Sequence, residues 1–353
     1  MRFSAQIAKD DFPLIGEQIN AHRSKSQMAP LKASSVGQYC SNYNIMSRLC
    51  EYKWDDPVYF LEDYDRIHTA LRLPNKRTHK ELTDNSRRNY LNAVIIMSQV
   101  AGCEGSTIQK FVDDRDALNQ KYNDSKQNGA YTPDEEANVV TQEEIEAMLR
   151  KLKHELAGIY QVSRSSLPDK LFQKLQFYTM MSLYKEHRLR NDFATLQVIG
   201  LRPFKKLGDD MKKGTNFLVV GKDIKIVLHD FKTNKGNNAM EIPLTDKPLI
   251  RLVKNYIGMI GMNVPLFTGP TGLMMTSNQL TTFLQKHTLE YLGKRISTRL
   301  LRKIFYSEKY GHMVQELKQD AKENLHSVGV ALDIYAKAPT AGTSGMDEGY
   351  MLA

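Results

Sequence analysis

The chain has 353 residues, with 49 Lys and Arg against 40 Asp and Glu, giving a formal net charge of +9. With 41% hydrophobic and 25% charged residues the composition is ordinary for a globular protein, which excludes wholesale disorder, a collagen-like repeat and a membrane-embedded body. The length suggests two domains, and the basic excess makes a polyanion a natural partner.

No stretch approaches the roughly 18 apolar residues of a membrane span. The first residues, MRFSAQIAKDDFPLIGEQ, lack the apolar core of a secretory signal. Cys40, Cys50 and Cys103 form no C-x-x-C pair, so neither a disulfide framework nor a structural zinc site is expected. The expectation is an intracellular, reduced protein, away from membranes.

In chain order, residues 1–33 are polar and mixed and read as an arm or a short helix. From Ser34 the apolar residues Val36, Tyr39, Tyr43, Ile45, Met46 and Leu49 recur at helical spacing, with Ser34 or Ser35 as the cap. DPVYFLEDYDRIHTALRLP reads as a second helix, stopped by Pro74. A third follows over THKELTDNSRRNYLNAVIIMSQVAG, with candidate caps at Thr83 to Ser86. A fourth covers Ser106 to Tyr122. Residues 34–122 therefore read as an all-α domain. Its Lys76, Arg77, His79, Lys80, Arg87 and Arg88 could meet phosphates, although a solvated loop and helix start explains each of them singly almost as well.

Residues 123–141 combine Gly, Pro, Asn and acidic side chains, the composition of a linker. A second domain, 142–338, opens on Thr141 with Glu144 three residues on, the signature of a capping box. LPDKLFQKLQFYTMMSLYKEH is its next helix. NFLVVG, DIKIVLHDF and AMEIPL read as short strands, joined at Gly221-Lys222 and through KTNKGNN. Helical patterns return at KPLIRLVKNYIGMI, SNQLTTFLQKHTLEYL, STRLLRKIFYSEKY and HMVQELKQDAKENL. Residues 339–353 form a small-residue-rich tail. The fold class is mainly α with a small antiparallel sheet, an all-α domain followed by an α+β one.

One series of residues in the second domain carries chemistry. In order it is Arg190 in RLRNDFATL, Lys232 in DFKTNKGNN, Arg299 and Arg302 in STRLLRKIF, His326 in HSVGVALDIY, and Tyr335. This series resembles the tyrosine recombinase, or phage integrase, family, whose pattern is an early Arg, a hairpin Lys, H-x-x-R, a His or Trp, and a Tyr. The nine residues from His326 to Tyr335 are the family's usual interval. The LRND motif is similar to integrases of large DNA viruses and mobile elements. The resemblance implies a core-binding domain in residues 34–122 and a catalytic domain behind it, closing on duplex DNA as a clamp. It implies four protomers on two DNA sites during recombination, with C-terminal segments passed between neighbours.

It also implies a division of labour. Tyr335 attacks a backbone phosphate in line and holds the DNA as a 3′-phosphotyrosine. Arg190 and Arg302 clamp the phosphate, because guanidinium is planar, permanently charged and bidentate. Lys232 protonates the leaving 5′ oxygen, and His326 bonds a non-bridging oxygen. No cofactor or metal is called for.

The chain departs from the family in two places. Arg299 stands where His is usual, and Arg cannot serve as a base near neutral pH. Arg190 precedes Asp192 by two residues where the family has an acid three on. Arg188 is a rival for Arg190, and Lys235 for Lys232. A type IB topoisomerase, a telomere resolvase and a catalytically inactive DNA-binding protein on the same fold are the competing readings. His154, His187, His229 and His287 have no partner pattern and read as structural; HELAG at His154 lacks the second His of a zincin.

Overall fold

The computed structural model describes residues 6–52, 56–74, 81–127, 131–231, 234 and 239–332. The chain divides into two compact units, Met1–Ala130 and Tyr131–Ala353.

The first unit is helical. A short 3-10 turn leads into α1 (Phe12–Lys25), followed by α2 (Ala33–Leu49), α3 (Pro57–Glu62), α4 (Tyr64–Arg72), α5 (Asp84–Ala101) and α6 (Gly105–Gln127). Of the arm or short helix expected over residues 1–33, the helix forms as α1, and from Gln6 on the chain is part of this body. Ile15 and Ile19 are one helical turn apart, and both are buried in one cluster with Ile7, Val36, Tyr43 and Met46. At Gly16 a Cβ would sit 3.1 Å from Val36 Cγ1, so glycine lets α1 and α2 approach closely. The single helix expected over 56–74 breaks at Asp63. Its backbone leaves the helix, and its carboxylate accepts from Arg66 N at 3.1 Å, which starts α4. Thr83 caps α5 by accepting from Ser86 N, and Gly102 ends it in the left-handed conformation at φ 78°. Cys40, Cys50 and Cys103 are buried free thiols, and burial pushes them up to about 11, about 12 and about 11.

The second unit begins inside the expected linker. α7 (Pro133–Asn138) carries a capping box of Thr132 and Glu135 and belongs to this body. Lys294 Nζ donates to Ala137 O at 2.7 Å, and Arg295 N donates to Asn138 Oδ1 at 2.8 Å. α8 (Gln142–Glu155) starts with the capping box expected at Thr141 and Glu144, and α9 (Asp169–Glu186) follows. Then come β1 (Leu196–Gly200), α10 (Leu201–Lys206), α11 (Asp209–Lys212), β2 (Asn216–Val220), β3 (Ile224–Leu228) and β4 (Met240–Pro243). The unit closes with α12 (Lys247–Ile260), α13 (Ser277–Leu292), α14 (Thr298–Glu323) and α15 (Val328–Val330).

The sheet order is β1-β2-β3-β4, and the sheet is mixed. β2–β3 and β3–β4 are antiparallel as expected, but β1 pairs with β2 in parallel, Val198 opposite Leu218. A parallel neighbour needs a crossover, and α10 with α11 supplies it. One sheet face joins the main core through Val198, Leu218 and Ile226. Beneath the crossover, Ile199, Phe204, Phe217, Val219 and Val227 form a second small core on the other face.

α14 differs most from expectation. Sequence suggests two helices meeting near Gly311; the structure has one helix of 26 residues running through it. An isolated helical glycine costs about 1 kcal/mol relative to alanine, too little to break a helix that its neighbours favour. No helix among the described residues is long and apolar enough to cross a membrane.

Candidate functional site

Two of the six expected catalytic residues come together. Arg190 follows α9 and immediately precedes a 3-10 segment, Asn191–Thr195. Its backbone is fixed from both sides. The buried Tyr184 hydroxyl donates to Arg190 O at 2.7 Å, and Arg190 N donates to Asp192 Oδ2 at 3.1 Å. Asn191 then ties this segment to two helices. Its Nδ2 donates to Ser277 O and to Thr281 Oγ1, both at 3.1 Å, and its Oδ1 accepts from Thr298 Oγ1 at 2.6 Å. Thr298 is the first residue of α14 and is buried. One amide therefore sets the position of Arg190 against the helix that carries Arg299 and Arg302.

Arg302 is half-buried, and its Nε is buried without a hydrogen-bond partner among the described residues. Burial and then the nearby positive charge of Arg190 push its pKa down, against Tyr184, Asp192 and Tyr306. Asp192 lies near both guanidiniums, yet burial holds its carboxyl above the usual range, outweighing its hydrogen bonds and the two cations. Arg190 is exposed and forms no ion pair among the described residues. Two neighbouring guanidiniums, with no acid paired to Arg190 among the described residues, concentrate positive charge at this point. A tetrahedral oxyanion such as a phosphodiester suits it. Arg188, the rival, also meets α14: its guanidinium lies 5.0 Å from the ring centre of Phe305, one turn beyond Arg302.

Arg299 is exposed on the first turn of α14 and faces an acid. Glu135 of α7 accepts from Lys303 Nζ at 2.5 Å. Burial raises the Glu135 pKa, but the bonds from Lys303 and Thr132 N and the charges of Lys303 and Arg299 together bring it below the usual carboxylate range.

Lys232 and its rival Lys235 lie outside the described residues. The base of their hairpin is held by the buried Asn216. Its Oδ1 accepts from His229 N at 3.0 Å and Asp230 N at 2.9 Å. Its Nδ2 donates to Asp230 O at 2.9 Å and to Thr195 Oγ1 at 3.0 Å. Thr195 ends the segment that starts beside Arg190, so the hairpin and the arginine share one support.

His326 does not join the pair. It follows the end of α14, where its N donates to Ala321 O at 3.0 Å. With α14 unbroken, a rise of about 1.5 Å per residue puts Arg302 and Ala321 roughly 28 Å apart along the axis. Tyr335 lies outside the described residues.

In the first unit, Arg87 is occupied. Its Nε donates to Leu71 O at 3.0 Å, and it pairs with Asp84 at 3.4 Å and Glu81 at 3.8 Å, joining the end of α4 to α5. Arg88 donates to Asn85 Oδ1 at 2.7 Å and lies 4.4 Å from the ring centre of Tyr122. Lys76, Arg77, His79 and Lys80 lie outside the described residues.

Sequence reasoning passed over Tyr184, Asn191, Asn216, Thr298 and Glu135, and weighed Asp192 only for its spacing from Arg190. Asn191 and Asp192 sat in the quoted RLRNDFATL motif, so that signal was present. Asn216 read only as the first residue of a strand.

No family model matches this chain, and no curated protein or solved structure gives a significant match to it.

Proposed function

We propose that this chain breaks and rejoins duplex DNA as a tyrosine recombinase, with Tyr335 as nucleophile. The observation that carries the reading is the convergence of Arg190 and Arg302 at the Asn191–Thr298 junction, with the buried Arg302 Nε lacking a hydrogen-bond partner among the described residues. Those two residues are far apart in sequence, and both belong to the series that the sequence pattern marks out.

In this reading a backbone phosphate lies between the two guanidiniums. The Tyr335 oxygen gives up its proton to solvent and attacks phosphorus, the bond to the 5′ oxygen breaks, and Lys232 gives that oxygen a proton. The 3′ end stays linked to the tyrosine. Attack by another 5′ hydroxyl reverses the step, so the ester energy is conserved and no external energy source is used. Charge building on the non-bridging oxygens is met by cations already in place, which is where such sites gain most of their rate. Arg299 adds a hydrogen-bond donor and not a base.

A duplex nicked close to the cleavage point traps the intermediate, since the short released strand diffuses away. Expected is a covalent protein–DNA adduct that disappears in Tyr335→Phe. Binding without an adduct indicates an inactive DNA-binding protein. Relaxation of supercoils by a monomer without paired sites indicates a topoisomerase.

A further inference from the structure

The outer half of α14 carries an apolar stripe, Tyr306 to Val314, that stands exposed among the described residues. Tyr306, Tyr310, Met313 and Val314 are 54%, 38%, 63% and 44% exposed. Tyr306, Tyr310, Met313 and the half-buried Leu317 follow a four-three-four spacing, the seam of a helix pair. The buried residues Leu300, Leu301, Ile304 and Phe305 lie on the opposite face, so the seam from Tyr306 to Met313 points away from them; past the half-buried Leu317 the same side is covered by the chain's own α15, where Ala321 is buried.

We infer that this seam pairs with a second copy of itself, antiparallel, about a two-fold axis between Gly311 and His312. In that register Tyr310 meets the partner's Met313, and Tyr306 meets the partner's Leu317. Each contact occurs twice, as an isologous interface requires. Charge selects the direction. Lys309 and Glu316 flank the seam on the same side, so the antiparallel pair sets Lys309 against the partner's Glu316 twice. A parallel pair would put Val314 there instead. Lys309 also lies 5.0 Å from the Tyr310 ring centre, and His312 Nδ1 lies 3.1 Å from Glu316 Oε1, so both charges already border the seam. The seam stops at Tyr306, because Lys303, the next position, is held by Glu135.

Pairing has a consequence for the arginine site, and this part rests on the recombinase reading. Within one chain His326 lies a whole helix away from Arg302. In the antiparallel pair the partner's His326 comes level with the start of α14, whose first two turns carry Arg299 and Arg302. The site is then completed from two chains.

The test uses the full chain without DNA. Sedimentation equilibrium is expected to show a monomer–dimer equilibrium, weak because so short a seam buries little, with Kd of about 10–100 μM. Met313→Glu abolishes it while the circular dichroism melt stays that of the parent. Lys309→Glu and Glu316→Lys each weaken it at least tenfold, and the double variant restores it. A mixture of Tyr310→Cys and Met313→Cys proteins cross-links heterotypically; the native cysteines are buried and do not compete. A chain that stays monomeric through that concentration range, or a double variant no better than the single ones, overturns the pairing.

Mixing Arg302→Ala with His326→Ala protein then tests completion of the site. Adduct on the nicked duplex should return to about one site in four, from the mixed dimers alone. No return with pairing intact overturns completion from the partner. No adduct even from the unsubstituted chain overturns the recombinase reading and leaves the pairing result standing.

Discussion

Replacing Asn191 by alanine removes a side chain that joins the Arg190 segment to both α13 and α14. Three hydrogen bonds are lost, two donated at 3.1 Å and one accepted at 2.6 Å. Thr281 Oγ1 keeps its own bond to Ser277 O at 3.1 Å, so its loss is partial. The buried Thr298 hydroxyl loses its acceptor and bears most of the penalty. At about 0.5–1.5 kcal/mol net for each bond, the expected destabilisation is about 2–3 kcal/mol. For a unit of this size that is a fall of roughly 4–12 °C in melting temperature. Asn191→Asp keeps the acceptor for Thr298 and removes both donors, so it should cost less than alanine. The assay is denaturant unfolding with near-ultraviolet and far-ultraviolet probes on the full chain, together with binding of a short duplex. Both variants should weaken duplex binding in the order of their instability, because Arg190 is no longer held against α14. An alanine variant within 0.5 kcal/mol of the parent would refute the claim that this amide organises the site.

Asn216→Ala removes four bonds at the base of the β3–β4 hairpin and should cost about 2–4 kcal/mol by the same measurement. Glu135→Gln frees Lys303 and Arg299 from their shared carboxylate; duplex affinity should rise and the slope of log K against log salt should steepen by about one, read by fluorescence anisotropy. His187, His229 and His287 are all pushed below the ordinary histidine value, first by burial. The unfolded chain therefore binds more protons than the folded one just below that value, and stability should fall as pH drops from about 7 towards 5. Unfolding midpoints across that range check the sign, and a flat or rising profile on acidification contradicts it. Arg302→Lys keeps the charge but loses the planar fork. Adduct formation on the nicked duplex should slow by about 10²–10³-fold with little change in melting temperature.

Much of the helical framework was legible because local signals decide it. α12 and α13 run over the residues their apolar spacing marked, and α8 starts at its capping box. Misreadings arose where packing between distant segments overrides local signals. Residues 1–33 leave an arm and a short helix equally open, and the contact of Ile15 and Ile19 with α2 decides for the helix. β1 was missed because LQVIG is short and its partner, β2, lies beyond a crossover. Gly311 looked like a stop, although a lone glycine costs a helix little. At the site, the charged residues were visible by type and order. The supporting amides of Asn191 and Asn216 were not, because a single polar residue gives no hint of which backbone groups it will meet.

The central claim is that Tyr335 becomes joined to DNA at a phosphate gripped by Arg190 and Arg302. Mass spectrometry of the adduct trapped on a nicked duplex tests it most directly. The account predicts one phosphodiester, linking the Tyr335 oxygen to a 3′ end, formed in the presence of chelator. An adduct on another residue, one on a 5′ end, or unmodified protein that nonetheless binds the duplex would contradict it.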